Sequence, residues 1–137
     1  DVIAGFAGET DEDFEITKQN LEKSGLTQIH TFPYSQRKGT IGAEMENQNS
    51  DEVKSKRASI IKEISKRKHE EFINKNIGKT LEVLIEKHPD KHTQNLKGIT
   101  RNYLTVQIIS DRTDLFNTIK NVKISKFENG KIYGELV

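Results

Sequence analysis

The sequence predicts an α+β fold: a partial α/β unit, a connecting helix, then a small all-β, OB-like barrel. Three observations carry that prediction. The first forty or so residues give strand, helix and strand signals in turn, the grammar of a parallel α/β sheet. A long helical stripe with a narrow apolar face follows from Ser50. From Lys79 onward the pattern changes to short β-prone runs with no amphipathic helix among them.

Asp1 to Phe6 reads as a buried strand. Thr10 is placed to cap the next helix and Asp13, three residues on, completes a capping box, with acidic residues suiting the positive end of the helix dipole. Phe14, Thr17 and Leu21 share one face, and the helix is expected from Asp11 to Ser24 with Gly25 as its stop. Leu26 to Tyr34 is the second strand, ended by Pro33, and Ser35 to Thr40 is a loop. One strand, helix, strand unit cannot cover both faces of its own sheet, so residues 1–45 are expected to be a piece of a larger fold. The next helix, capped by Ser50, carries Val53, Arg57, Ile60, Ile61, Ile64, Lys68 and Phe72 at helical spacing. Its Lys54, Lys56, Arg57, Lys62, Lys66, Arg67 and Lys68 read as the solvated face of a connector over residues 46–74. In residues 75–137, strands are expected at Thr80–Glu86, Gly98–Thr100, Tyr103–Ile109, Thr118–Phe127 and Lys131–Leu136. Asn129-Gly130 supplies hairpin chemistry before the last of them. Five short strands in so few residues suggest a closed or nearly closed barrel, a common RNA platform.

The chain has 137 residues, too few for a complete barrel-sized enzyme. It has no cysteine, so this stretch makes no disulfide and supplies no thiolate to zinc or to an iron–sulfur cluster. No apolar run reaches the roughly 20 residues that span a bilayer, and no signal-peptide pattern opens the chain. A soluble, cytoplasmic protein with no membrane partner is expected. A sequence that opens inside a strand, at Asp1, reads as a piece cut from a longer protein. Residues 1–74 hold 11 Lys/Arg and 14 Asp/Glu, whereas 75–137 hold 11 and 7. The positive balance of the second part suits a polyanionic partner, and equally an ordinary surface.

Gly5-Phe6-Ala7-Gly8-Glu9 ends a strand just before a helix, where α/β sheets meet nucleotides or cofactors. Gly5 and Gly8 permit close backbone approach and Glu9 offers an acceptor; the same residues also serve a plain structural turn. Ser35 and Arg37 follow the next strand and share that sheet edge, where Arg37 can fork onto a carboxylate or phosphate. His88 and His92 are separated by Pro89 and Asp90, which place them in a turn and not on a metal-binding helix, so no metal site is expected. His30 reads as a packed or hydrogen-bonded core residue and not as a base. In the last module Lys97, Arg101, Asn102 and Tyr103 cluster, joined by Lys79 and Lys123. Lysine and arginine meet phosphates and tyrosine stacks on bases. Phe116 and Phe127 read as barrel core.

Asp1-Val2-Ile3-Ala4-Gly5-Phe6-Ala7-Gly8-Glu9-Thr10 resembles the "DxIxGFPGET" segment of radical S-adenosylmethionine methylthiotransferases, and His30 to Thr40 resembles their "FPYSxRxGT" segment. Ile77 to Leu84 with Gly98 to Val106 resembles the TRAM domain that closes those enzymes. The resemblance implies that residues 1–45 end a radical S-adenosylmethionine partial TIM-type barrel, with Gly5, Gly8, Glu9, Ser35 and Arg37 near the cofactor. It implies that residues 75–137 hold the tRNA anticodon stem-loop. The Phe32-Pro33-Tyr34-Ser35 and Gly98 to Tyr103 runs look most like the branch that adds a methylthio group to C2 of N6-threonylcarbamoyladenosine at tRNA position 37. Sister branches act on isopentenyladenosine or on a ribosomal-protein aspartate. A protein-recognition barrel without RNA binding is the other reading. The parent enzyme would use S-adenosylmethionine and two 4Fe-4S clusters held by its N-terminal domains. Ala7 stands where the family usually has proline, and the three-cysteine motif is absent, so this fragment alone is expected to be inactive. Its expected partners are tRNA, the missing N-terminal domains and, through uncovered apolar surface, a second copy of itself.

Overall fold

The computed structural model describes residues 1–137, which divide into two compact units, Asp1–Glu70 and Glu71–Val137. The first unit opens with β1 (Val2–Ala4), α1 (Asp11–Lys23) and β2 (Thr31–Pro33). The two strands are parallel, with Val2 opposite Thr31 and Ala4 opposite Pro33. The full capping box forms at the start of α1: Thr10 Oγ1 accepts from the Asp13 amide and the Asp13 carboxylate accepts from the Thr10 amide. Gly25 is not the stop. Ser24 ends the helix in an extended conformation, its amide reaching Asn20 and its hydroxyl donating to the Leu21 carbonyl at 2.7 Å.

The second strand is shorter than its pattern suggested, because its partner offers three residues and because Ile29 is spent on the long helix that follows in the chain. The Ile29 amide donates to the buried Ser65 hydroxyl at 2.8 Å. His30 is exposed, with its Nδ1 3.2 Å from the Asp1 carboxylate, so it is no core residue. The loop expected from Ser35 to Thr40 ends in a four-residue helix, α2 (Ile41–Glu44), capped by Thr40.

The long helix α3 (Asp51–Asn74) starts where Ser50 caps it. Over most of its length it is a wall of the first unit, and its last residues, from Glu71, belong to the second. Ala58, Ile61 and Ile64 pack with Ala4, Phe14, Leu21 and Ile29 into one core. Lys54 and Arg57, expected in solvent, are 4% and 5% exposed. Lys68 also turns onto the unit, donating to the Glu22 and Ser24 carbonyls at the C-terminal end of α1, where a cation suits the helix dipole.

The second unit is a closed barrel of β3 (Thr80–Ile85), β4 (Leu96–Thr100), β5 (Thr105–Ile108), β6 (Ile119–Glu128) and β7 (Lys131–Leu136), in the order β3-β4-β5-β7-β6. All neighbours are antiparallel except β5 and β7. Val83, Ile85, Leu96, Val106, Ile108, Val122, Ile124 and Ile132 fill the interior, with Phe116 and Phe127 packed at its margin. Alternation along each strand therefore sorts the inner face from the outer. Asn129 and Gly130 both take positive φ, as a tight hairpin requires. Gly134 lies where a Cβ would come within 2.5 Å of the Val122 side chain, so the barrel closes only over a bare backbone. The fifth strand begins at Thr105 and not at Tyr103, because Tyr103 is in the left-handed conformation with φ 65°.

Candidate functional site

The Gly5–Glu9 turn leaves β1 through two left-handed glycines, φ 76° at Gly5 and 80° at Gly8. Gly5 also sits against α3: a Cβ there would meet Lys54 Cγ at 2.6 Å. The polar groups of the turn face inward. The Gly5 amide donates to Glu9 Oε1 at 3.1 Å and the Gly8 amide to the Asn47 carbonyl at 2.9 Å. Arg57 binds the same Glu9 oxygen at 2.7 Å, the Glu9 carbonyl at 3.0 Å and Asp11 at 2.8 Å, and its guanidinium lies 5.4 Å from the Phe14 ring. Burial opposes the charge on Arg57, but the hydrogen bonds it donates to Asp11 and Glu9 outweigh it and raise the pKa. One oxygen of Glu9, Oε1, is thus held by Arg57 and by its own turn.

Ser35 and Arg37 follow β2 at the same sheet edge, as Ala4 opposite Pro33 requires, and border a concavity of about 630 Å³ lined also by Ile3, Phe6, Phe32, Tyr34, Thr40 and Gly42. Phe6 and Tyr34 meet edge to face at 4.8 Å, and Lys54 Nζ stands 5.6 Å from the Tyr34 ring. A Cβ at Gly42 would come within 2.7 Å of the Tyr34 hydroxyl, so a bare residue keeps this wall open. Aromatic walls with an exposed arginine and two hydroxyls at the rim fit one end of a nucleoside that carries a charged group. They do not fit an iron–sulfur cluster: the chain has no cysteine and no cluster of three or more His, Asp or Glu side chains suited to a metal.

On the barrel, cross-strand partners share a face, so the register maps the outer surface of β4, β3 and β6. Ile99, Leu84 and Ile119 form an apolar row across the three strands. Leu84 and Ile119 are exposed. Arg101 and Glu82 lie beside that row, joined at 2.9 Å, and Lys97 pairs with Glu86 at 3.0 Å on its other side. Lys123 stands opposite Thr80, one residue after Lys79. Four of the six residues read as RNA contacts, Lys79, Lys97, Arg101 and Lys123, therefore fall on or beside one face, although two are partly neutralised by carboxylates. Tyr103 is 80% exposed. Asn102 turns inward, accepting from the Thr100 hydroxyl and donating to Asn76. Leu84, Ile99 and Ile119 were not singled out from sequence. The signal was there in Leu84, which breaks the alternation of Leu81, Val83 and Ile85, but only strand register joins it to the other two.

The fold and its surfaces define a class: the edge of an α/β layer with an aromatic concavity, and a small closed barrel with a cation-bearing outer face. No family model matches the chain. Curated relatives do, along its whole length. A tRNA-2-methylthio-N(6)-dimethylallyladenosine synthase of Caldicellulosiruptor saccharolyticus is 36% identical over 141 residues, covering 100% of this chain and 29% of the relative. A protein of the same name from Ehrlichia ruminantium is 38% identical over 135 residues, 98% of this chain and 30% of the relative. The threonylcarbamoyladenosine tRNA methylthiotransferase MtaB of Chlamydia pneumoniae is 34% identical over 137 residues, 100% of this chain and 32% of the relative. The chain is a homologue, over its whole length, of one segment of the tRNA methylthiotransferases. It spans about 30% of the length of these relatives.

Proposed function

We propose that this chain is the C-terminal part of an enzyme that adds a methylthio group to C2 of an N6-substituted adenosine at tRNA position 37. The observation that supports it most is the unbroken similarity to tRNA methylthiotransferases over both units. The barrel grips the anticodon stem-loop with Lys79, Lys97, Arg101 and Lys123 near phosphates and Tyr103 against a base. The first unit closes one side of the reaction chamber. Its concavity holds part of S-adenosylmethionine through Ser35 and Arg37, with Phe6 and Tyr34 as its aromatic wall, while Gly5, Gly8 and Glu9 act behind that wall. S-adenosylmethionine supplies the methyl group and the radical when bound, and the clusters are held by domains outside this chain. The chain on its own is inactive for want of those cluster ligands.

The Phe32–Ser35 and Gly98–Tyr103 runs favour threonylcarbamoyl as the N6 substituent. The dimethylallyl substituent named for several relatives is the second reading, and the identities of 36% and 34% do not separate the two. Mass spectrometry of tRNA nucleosides decides between them: the full-length enzyme is expressed in a bacterial strain lacking both activities. The methylthio form of threonylcarbamoyladenosine is expected. Methylthiolated dimethylallyladenosine alone refutes the first substituent, and neither product refutes the activity.

A further inference from the structure

Tyr103 combines two features that an idle turn avoids. It is a bulky aromatic in the left-handed region, φ 65°, and it stands 80% exposed. Such a conformation persists only where its surroundings over-determine it, and glycine would relieve it at no steric expense.

The turn is tied to buried residues by a run of hydrogen bonds. The Tyr103 amide donates to the Thr100 carbonyl at 3.0 Å, and the Thr100 amide to the Leu104 carbonyl at 3.0 Å. The Thr100 hydroxyl accepts from the Leu104 amide at 2.8 Å and donates to Asn102 Oδ1 at 2.5 Å. Asn102 Nδ2 donates to Asn76 Oδ1 at 3.3 Å, and Asn76 Nδ2 donates to the Phe72 carbonyl at 2.8 Å. Thr100 and Asn76 are each 4% exposed. One chain of side chains thus runs from the root of the barrel to the turn, and every link is a directional bond that fixes the backbone on either side of Tyr103.

We propose that Asn76, Asn102 and Thr100 are positioning residues that hold the Tyr103 ring out of the barrel for stacking on an unpaired RNA base. Asn102 serves the RNA through Tyr103 and not by touching it. The preceding Arg101 side chain, 85% exposed and paired with Glu82 at 2.9 Å, can exchange that carboxylate for the adjoining phosphate. This rests on the RNA-binding reading of the barrel.

The test measures anisotropy of a labelled anticodon stem-loop RNA titrated with the full chain and its variants, and separately the φ-sensitive three-bond HN–Hα coupling of residue 103. Tyr103→Phe keeps its affinity, because the ring is what stacks. Tyr103→Gly loses about tenfold, within the range for one lost base stack, with no loss of thermal stability. Asn102→Ala loses a similar factor, and the Tyr103 coupling moves away from its left-handed value while the Val106 and Ile108 amide shifts stay put. Should Asn102→Ala fail to fold, Asn102→Asp serves. It keeps the acceptor for Thr100, removes the donor to Asn76, and is expected to weaken binding and move the same coupling. Wild-type affinity in Tyr103→Gly, or in a folded Asn102 variant, overturns the proposal, as does an unmoved coupling. If the wild-type chain binds the stem-loop no better than heparin, the RNA reading has failed instead. The coupling then still reports whether the three residues set the Tyr103 backbone.

Discussion

Arg57→Met removes the brace between α3 and the Gly5–Glu9 turn while keeping most of the side-chain volume. The Arg57 side chain is 7% exposed and its principal partner Glu9 15% exposed, so the substitution strands a largely buried carboxylate. Breaking such a pair from one side costs about 3–5 kcal/mol. The second partner, Asp11, is almost fully exposed, so that bond adds at most about 1 kcal/mol. A loss of about 3 kcal/mol, the low end of the range, is expected, because Glu9 keeps its Gly5 hydrogen bond and a little water. Urea unfolding followed by amide exchange reads the two units separately: Ala58 and Ile61 should lose protection, and Val122 and Ile124 should not. Adding Glu9→Gln to Arg57→Met removes the stranded charge and should recover more than 1 kcal/mol, roughly the cost of leaving a charged group unpaired. A loss under about 0.5 kcal/mol, the scale of an ordinary surface change, would refute the brace.

The two glycines of the same turn should separate. Gly5→Ala suffers both from its positive φ and from the Lys54 contact, whereas Gly8→Ala has open space around it and carries only the conformational penalty of about 1 kcal/mol. Denaturation midpoints should therefore fall clearly further for Gly5→Ala; equal values would show that α3 yields at Lys54. Asp90 holds the loop before β4, accepting from the Thr93 and His92 amides and the Thr93 hydroxyl, and these bonds hold its carboxyl well below the usual carboxylate range. Its folded pKa is depressed, so its contribution is complete above the unfolded value near 4 and fades only as pH falls below it. The Asp90 side-chain carboxyl carbon resonance should hold from pH 7 to about 4 and shift only in more acid solution, whereas its movement between pH 7 and 5 would contradict that ordering. Ile119→Asp interrupts the outer apolar row without touching the interior. It should change stability by no more than about 0.5 kcal/mol yet weaken stem-loop binding, and unchanged affinity would remove that row from the interface.

Features fixed by local chemistry were legible in the sequence. Thr10 and Asp13 cap a helix through groups three residues apart, and Asn129-Gly130 turns a hairpin through its own backbone freedom. The alternation of Val83, Ile85, Val106 and Ile108 marked the barrel interior for the same reason. What stayed hidden depends on distant partners. Nothing near Arg57 in the chain says that Glu9 and Asp11 await it, so a charged helix face read as solvated. His30 sits next to a strand, but the strand is short and leaves it in water. Nothing near Asn102 in the chain announced that its amide would donate to Asn76, in the turn after α3. The residues expected at a cofactor edge divided in the same way: Ser35 and Arg37 line the concavity, while the Gly5 amide donates to Glu9 and the Gly8 amide to Asn47.

The salt dependence of anticodon stem-loop binding bears most directly on the central claim. With three to five phosphates met by Lys79, Lys97, Arg101, Lys123 and their neighbours, log affinity should fall linearly against log salt with a slope of about −2 to −4.5. Replacing Lys123 with alanine should reduce that slope by about one contact, roughly 0.7 to 0.9. A slope near zero, or binding that a duplex without a loop matches at every salt concentration, would contradict a barrel built to hold tRNA.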